Sequence, residues 1–258
     1  MLNKPDQSDR EISEFAGRLP LLKMNDINFL FYEMLPLCGL GPAIAFSRFL
    51  TLNKKVVYSA HALVNAYKMK HKNLWDDEME DSLRVRCMHF ENAIEGYNKV
   101  IDYIYIILYF NYELYEKLDF DRINTKDDII RISKKIKGYK LNMIDNWLHS
   151  NELTNEFANK LNDYKLLTIE MRELANDIKH RGCIAVEGIV LPRHTTVTRK
   201  IDGQDVDITE LVSEIKINLE NEVEKLVEIH GHTIEILKDL YKLCNFQEQL
   251  KDFLNRHI

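Results

Sequence analysis

The feature that most constrains the fold is a run of apolar side chains spaced alternately by four and three residues. It comprises Leu83, Cys87, Phe90, Ile94, Tyr97, Ile101, Ile104 and Leu108. An α-helix places residues at these steps on one face, so the pattern predicts the seam of a helical bundle. From Val100 to Tyr115 the sequence is apolar or aromatic almost all round, which predicts that this part is the central, most buried helix.

The rest of the chain also favours long helices. Only 9 Gly and 5 Pro interrupt 258 residues, and 45% of the residues are hydrophobic, enough for a substantial core. Neither an internal repeat nor a low-complexity linker is visible, so we expect a single domain over residues 1–258. Further helices are predicted at about Leu21–Pro36, Pro42–His71, Asp127–Lys137 (with Thr125 or Asn124 as its cap), Thr154–His180 and from Ile208 to near the end.

A short region after Gly182 has a different character. Cys183–Val190 and His194–Ile208 are rich in β-branched residues, and Asp202-Gly203 stands between two short alternating runs. Asp-Gly between such runs is a strong signal for a hairpin turn. We therefore predict an all-α fold with a small β-hairpin insertion near residues 183–208.

The composition also indicates where such a chain works. Its N-terminus has no apolar signal segment, and the run from Val100 to Phe110 is too short to cross a bilayer. The four cysteines are far apart and form no CxxC pair, which is typical of free thiols in a reducing compartment. We expect a cytoplasmic protein without a membrane segment. The formal net charge of −6 argues against a general nucleic-acid-coating protein, which would be basic.

The best candidate site closes the helix predicted to end at His180. Arg172, Asn176 and His180 follow one another at steps of four, so a helix stacks them along one side; we call these three residues the ladder. Taken from the apolar stripe of that helix, they lie roughly 100° to 180° away, off the core face. A guanidinium, an amide and an imidazole are suited to holding a phosphate and moving its protons. The alternative is a polar last turn, since cations there complement the helix dipole.

Around the ladder, the segment Asn176-Asp177-Ile178-Lys179-His180-Arg181-Gly182 after long helices resembles the HEPN superfamily. The signature of that family is Arg, four to six residues, then His, often with Asn directly after the Arg. The resemblance implies an all-α bundle, commonly a homodimer. It also implies a metal-independent endoribonuclease or an RNA-binding effector of toxin–antitoxin or phage-defence systems, sometimes with an antitoxin or nucleotidyltransferase partner.

The same resemblance implies roles for the ladder. His180 would be the general acid or base at the ribose 2′-hydroxyl or the leaving oxygen, Arg172 would stabilise phosphate charge, and Asn176 would orient the pair. The position directly before Asn176, where the family has Arg, is Ala175 in this chain. Arg172 lies one turn earlier. The alternative hypothesis is therefore a non-catalytic helical interaction or sensing module.

Several basic residues are candidates for an RNA-binding track. Lys179 and Arg181 flank His180, and Arg193 lies on the predicted hairpin together with His194, Arg199 and Lys200. A second group comprises Arg131, Lys134, Lys135, Lys137 and Lys140. Lysines and arginines of this kind give sequence-independent affinity for phosphates, although an ordinary solvated surface has the same composition.

Other kinds of site are weakly indicated. His230 and His232 lie near Glu228, but His230 falls on the apolar seam of the last helix and no further ligand motif accompanies the pair. The sequence also lacks the Gly-rich phosphate loops and the serine-hydrolase elbow. We therefore expect no metal and no cofactor.

Overall fold

The computed structural model describes residues 7–22, 39–68, 78–118, 121–136, 139–181, 184–186, 198–201, 204–207, 215–246, 248–249, 251 and 255. The described chain is mainly helical, which confirms the predicted all-α class. Its helices are α1 (Gln7–Gly17), α2 (Leu40–Tyr67), α3 (Glu78–Asn98), α4 (Val100–Asn111), α5 (Leu114–Lys117), α6 (Lys126–Lys135), α7 (Tyr139–Ser150), α8 (Glu152–Leu167), α9 (Ile169–Arg181) and α10 (Leu219–Cys244).

The chain divides into two compact units, each assembled from separate segments. The first comprises Met1–Leu19, Ser59–Asn98 and Ile169–Ile229, and the second comprises Pro20–Tyr58, Lys99–Thr168 and His230–Ile258. In the first unit α9 packs against α3, and the rings of Phe15 and Tyr67 stack with centroids 4.0 Å apart. In the second unit α7 packs against α8 and α4.

The apolar seam predicted from the sequence lies in the core. Cys87, Phe90, Ile94 and Tyr97 of α3 are buried, as are the seam residues of α4, while Leu83 is only half-buried. Helix α4 has nine buried residues among its twelve, as expected for the most buried part of the chain. The single residue Lys99 separates α3 from α4, where the sequence indicated one continuous helix.

The start of helix α2 lies very close to the end of α4 in the second unit. A Cβ atom added to Gly41 would lie 2.6 Å from the carbonyl oxygen of Phe110, the residue before the last of α4. Only glycine fits this contact without a shift of the backbone. The aromatic rings of Phe46 and Phe49 continue this core by packing against Phe246, with centroids 5.1 Å and 6.4 Å away.

The predicted cap of α6 is confirmed. The backbone N–H of Asp128 donates to Thr125 Oγ1 at 3.3 Å, and the N–H of Thr125 donates to the Asp128 carboxylate at 2.9 Å. These reciprocal bonds form a capping box, which satisfies backbone donors that the first turn leaves open. Hydrogen bonds to the Asp128 carboxylate from the N–H of Asn124, the hydroxyl of Thr125, the guanidinium of Arg131 and the N–H of Thr125 lower its pKa to about 2.

The predicted hairpin is also confirmed. Strand β2 (Thr198–Ile201) pairs antiparallel with β3 (Gln204–Asp207), with Ile201 opposite Gln204, and the two residues between the strands lie outside the described residues. A second pair joins β1 (Ile184–Val186) in parallel to β4 (Ile215–Ile217). The remaining residues of the 183–208 region lie outside the described residues, apart from these strands.

The helix predicted from Ile208 to near the end is wrong at residues 215–217, and residues 208–214 lie outside the described residues. Residues 215–217 form β4, and α10 begins at Leu219, where Asn218 Oδ1 accepts from the N–H of Asn221 at 3.0 Å. An asparagine in this position caps a helix. Val186 and Ile217 are buried in the parallel pair. The rest of the predicted seam is buried: Leu219, Val223, Leu226, His230, Thr233, Leu237, Leu240 and Cys244.

Near the N-terminus the structure differs from the sequence analysis. Helix α1 was not predicted, because its apolar side is narrow; it buries Phe15 on an otherwise polar segment. Leu21 and Leu22 are not helical, and the rest of the helix predicted at Leu21–Pro36 lies outside the described residues. No helix of the described residues is long and apolar enough to cross a membrane.

Candidate functional site

The ladder lies on α9, the helix that packs against α3 in the first unit. Met171 is the buried anchor of this helix, while Leu174 and Ile178 are half-buried. The spacing of these three residues, three and then four, orients one side of α9 towards the core. The other side is left for polar residues.

The single long helix predicted from Thr154 to His180 is wrong in one respect, because Thr168 interrupts it. The Thr168 hydroxyl donates to the carbonyl oxygen of Tyr164 at 2.9 Å, and this back-bonding bends helices. Leu167, which the sequence placed on the buried stripe, is substantially exposed. The apolar stripe of α8 therefore does not continue onto α9. The buried face of α9 is defined by the burial of its own residues.

The three residues of the ladder differ in accessibility. Asn176 and His180 are exposed, whereas Arg172 is half-buried and its Nε atom is buried. Successive members are separated by about 6 Å along the helix axis, since each residue adds about 1.5 Å. An amide and an imidazole in this arrangement can contact adjacent oxygens of one phosphodiester. The guanidinium of Arg172 is less accessible than these two groups, because its Nε atom is buried.

Ala175 occupies the position where the HEPN signature has arginine, and it is half-buried. The methyl group adds neither charge nor a hydrogen-bond donor. In this chain Arg172 lies on the ladder side of α9, one turn before the family's position.

The flanking basic residues are only partly described. Lys179 is exposed beside His180. Arg181 is the last residue of α9, and its side chain is not among the described ones. Arg193 and His194 lie outside the described residues. Arg199 and Lys200 are exposed on β2.

Two members of the second basic group are engaged within the protein. Arg131 is paired with Asp121 at 2.8 Å and with Asp128 at 3.2 Å. Lys140 is buried, and its Nζ lies 5.9 Å from the centroid of the Tyr109 ring. Lys134 is exposed, while Lys137 lies outside the described residues. Pairing and burial thus remove two of the five cations from the surface available to a phosphate.

The two histidines of α10 differ in burial and in their partners. His230 is fully buried, and its Nε2 lies 2.6 Å from the carbonyl oxygen of Pro20, so the ring donates this hydrogen bond. Burial lowers the pKa of His230 below its ordinary value. His232 points instead to Glu235, with Nδ1 3.5 Å from Oε2. Among the described residues no group of three or more His, Cys, Asp or Glu is arranged to hold a metal ion.

The sequence analysis missed a connected set of polar side chains in the second unit, which we call the polar network. Lys165 of α8 donates to both carboxylate oxygens of Asp145 at 3.0 and 2.9 Å, and Tyr105 of α4 donates to the same carboxylate at 2.6 Å. Lys165 and Asp145 are 21% and 26% exposed, so solvent screens this pair only in part. The Lys165 ammonium also lies 5.0 Å from the centroid of the Tyr105 ring.

The polar network continues to the surface through Asn162 and His149. Lys165 donates to Asn162 Oδ1 at 3.2 Å, and Asn162 Nδ2 donates to His149 Nε2 at 3.1 Å. His149 Nδ1 in turn donates to Asn155 Oδ1 at 3.3 Å. These directions assign His149 as the neutral tautomer with its proton on Nδ1. The sequence signal was the spacing Asp145–His149 and Asn162–Lys165, four and three residues apart on facing helices.

A cavity of about 620 Å³ lies in the second unit between α8 and α10. Its wall includes the ion pair of Lys160 with Asp239 at 3.0 Å and the buried hydrogen bond between Tyr164 Oη and Thr233 Oγ1 at 2.8 Å. The cavity is lined by both lysines and carboxylates, and Lys160 and Asp239 neutralise each other. Such a surface has no preference for one sign of ligand charge.

Comparison of the chain with family models, with curated proteins and with solved structures finds no match. The candidate site therefore stands on its own residues: Asn176 and His180 exposed on α9, Arg172 half-buried below them, and Lys179 beside them.

Proposed function

We propose that this chain is a HEPN-like RNA-binding effector that contacts the RNA backbone through Asn176, His180 and Lys179 of α9. The observation that carries the proposal is the exposure of the amide and imidazole at adjacent turns of one helix face. These groups are the donors that a phosphodiester accepts from, and the lysine adds sequence-independent attraction.

The catalytic form of the proposal is metal-independent cleavage of RNA. His180 would remove the 2′-hydroxyl proton or donate one to the leaving 5′-oxygen, because imidazole titrates nearest neutral pH. Arg172 would stabilise charge on the phosphorane-like transition state. A homodimer that brings two ladders together would supply both the acid and the base. An antitoxin or nucleotidyltransferase partner fits the same proposal.

A second candidate is a non-catalytic interaction or sensing module with the same helices. Ala175 favours it, since the family position for the catalytic arginine carries a methyl group. The half-buried Arg172 also favours it, because a guanidinium whose Nε is buried has less freedom to reach a phosphate. In this form Asn176 and His180 belong to a binding surface alone.

Cleavage of a labelled single-stranded RNA in EDTA tests the two candidates together. If His180 is the acid or base, His180→Ala lowers the cleavage rate about 100-fold or more. The matched control is His232→Ala, which removes another exposed imidazole, from α10. RNA binding without cleavage, weakened by Asn176→Ala, supports the non-catalytic binding form. Absence of both cleavage and binding by the wild-type protein overturns the proposal.

A further inference from the structure

The stretch from residue 34 to residue 75 contains no Asp and no Glu, although the whole chain has 41 of them. Most of the described part of this stretch is α2, which carries Arg48, Lys54 and Lys55. A chain with a formal net charge of −6 therefore has one long helix that is purely cationic. Acidic neighbours at steps of three or four, which would neutralise these cations along the helix, are missing.

The cations of α2 share a face with an exposed aromatic ring. Arg48, Thr51, Lys55 and Tyr58 follow at steps of three, four and three, and Lys54 lies one turn before Tyr58. Tyr58 is 59% exposed and Lys54 is exposed, while Arg48, Thr51 and Lys55 are half-buried. We call these five residues the α2 basic face. The opposite face holds α2 in the core through Phe49, Leu52 and Val56, which are buried.

The two lysines are held by aromatic rings. Lys54 Nζ lies 5.5 Å from the centroid of the Tyr58 ring, and Lys55 Nζ lies 5.8 Å from that of Tyr103 on α4. Both distances are within the range of cation–π attraction. Among the described residues, no carboxylate lies within ion-pair distance of Arg48, Lys54 or Lys55. Their charge is available to an anionic ligand.

We propose that the α2 basic face binds single-stranded RNA. Its cations neutralise phosphates, and the exposed ring of Tyr58 stacks on a base, the combination by which proteins hold single strands without sequence preference. Arg48 and Tyr58 are about 15 Å apart along the helix axis, since ten residues separate them. A stacked strand carries one phosphate about every 3.4 Å, so the face spans about four phosphates. An acidic peptide would satisfy the cations but would leave the ring of Tyr58 without a stacking partner.

This surface is built from other residues than the ladder, so RNA binding by α2 goes beyond the proposed function. Affinity then resides on α2, while the proton chemistry belongs to α9. The two proposals share the ligand class and differ in the residues that must be changed to abolish binding.

Fluorescence anisotropy with a labelled oligouridine 12-mer tests the inference on the full chain. Lys54→Gln/Lys55→Gln is expected to weaken binding about 10-fold. It should also lower the slope of log affinity against log salt by about 1.4, or about 0.7 for each phosphate that the variant no longer neutralises. Tyr58→Ala is expected to weaken binding roughly 5-fold or more, because a base can no longer stack on the ring. The matched control is Lys238→Gln/Lys242→Gln, which removes the same charge from two exposed lysines of α10.

Each result has a defined meaning. Binding that is equal in the α2 variants and the control overturns the inference, as does a wild-type protein that does not bind the 12-mer. Displacement of the RNA by polyglutamate as readily as by unlabelled oligouridine also overturns it, in favour of a general acidic ligand. If the α2 variants weaken binding while Asn176→Ala/His180→Ala matches the wild type in both RNA binding and RNA cleavage, the α2 inference stands and the proposed function fails. If Asn176→Ala/His180→Ala weakens binding while the α2 variants bind like the control, the proposed function stands and the α2 inference fails.

Discussion

The ladder on α9 and the polar network of α4, α7 and α8 are built from similar side chains but differ in what surrounds them. In the polar network, Asp145 accepts from Tyr105 and from Lys165, and the bonds continue through Asn162 to His149. On the ladder, Asn176 and His180 are exposed. Helical spacing alone indicates which residues share a face, whereas the facing helix decides whether they become structural bonds or an open surface.

The largest difference between the two regions is expected in stability. Asp145→Ala leaves the Lys165 ammonium and the Tyr105 hydroxyl without their shared acceptor, and both are half-buried or buried. The free energy of unfolding should fall by about 2–3 kcal/mol, since hydrogen bonds to a charged carboxylate are lost. Urea unfolding measures the change.

The control for this prediction is Asp163→Ala, which removes an exposed aspartate from α8. Its effect should stay within about 0.5 kcal/mol. If both variants lose the same stability, the polar network is not a structural element and its contrast with the ladder disappears.

A smaller effect on the free energy of unfolding is expected from the buried His230 as pH falls. Burial lowers the pKa of His230 in the folded state. Below the ordinary histidine pKa of about 6.5, the unfolded chain therefore binds a proton that the folded chain does not. The stabilising contribution is complete above that value and is lost as pH falls towards the depressed pKa of the folded state. The slope from this residue is at most about 1.4 kcal/mol per pH unit.

Urea unfolding at pH 7, 6 and 5 measures this slope. His230→Gln, whose amide can still donate to Pro20, should flatten the profile over this range. A wild-type profile that His230→Gln does not alter would show that another group dominates the pH response.

The smallest stability effect is expected on the ladder. Asn176→Ala and His180→Ala remove exposed side chains, so each should change the free energy of unfolding by less than about 0.5 kcal/mol. Thermal or urea unfolding checks this. A loss of about 2 kcal/mol or more from either variant, the size expected for an unsatisfied buried donor, would place the ladder among the structural bonds and would remove the basis for a ligand surface.

Regular features of the sequence predicted much of the fold. The seams of α3, α4 and α10, the capping box at Thr125 and the antiparallel strand pair on either side of Asp202-Gly203 are local patterns, and each is present in the structure. The parallel pairing of β1 with β4 was missed because its two strands are about 30 residues apart and three residues long. Thr168 was missed because the apolar period continues across it, although its hydroxyl donates to the carbonyl oxygen of Tyr164 and the helix is interrupted there.

The candidate site was predictable only in part. The sequence placed Arg172, Asn176 and His180 on one side of a helix, but it did not indicate that Arg172 is half-buried while the other two are exposed. That difference depends on how α9 packs against α3, a non-local contact. The polar network and the buried role of Lys140 were missed for the same reason, since each depends on facing helices.

Imidazole NMR of the protein titrated with a short single-stranded RNA decides whether the ladder is a ligand surface, because it observes His180 and His230 in one sample. We expect the His180 resonances, assigned with His180→Ala, to shift as RNA is added, and the resonances of the buried His230 to stay in place. RNA that binds and leaves the His180 signals unchanged would show that the ligand surface lies elsewhere.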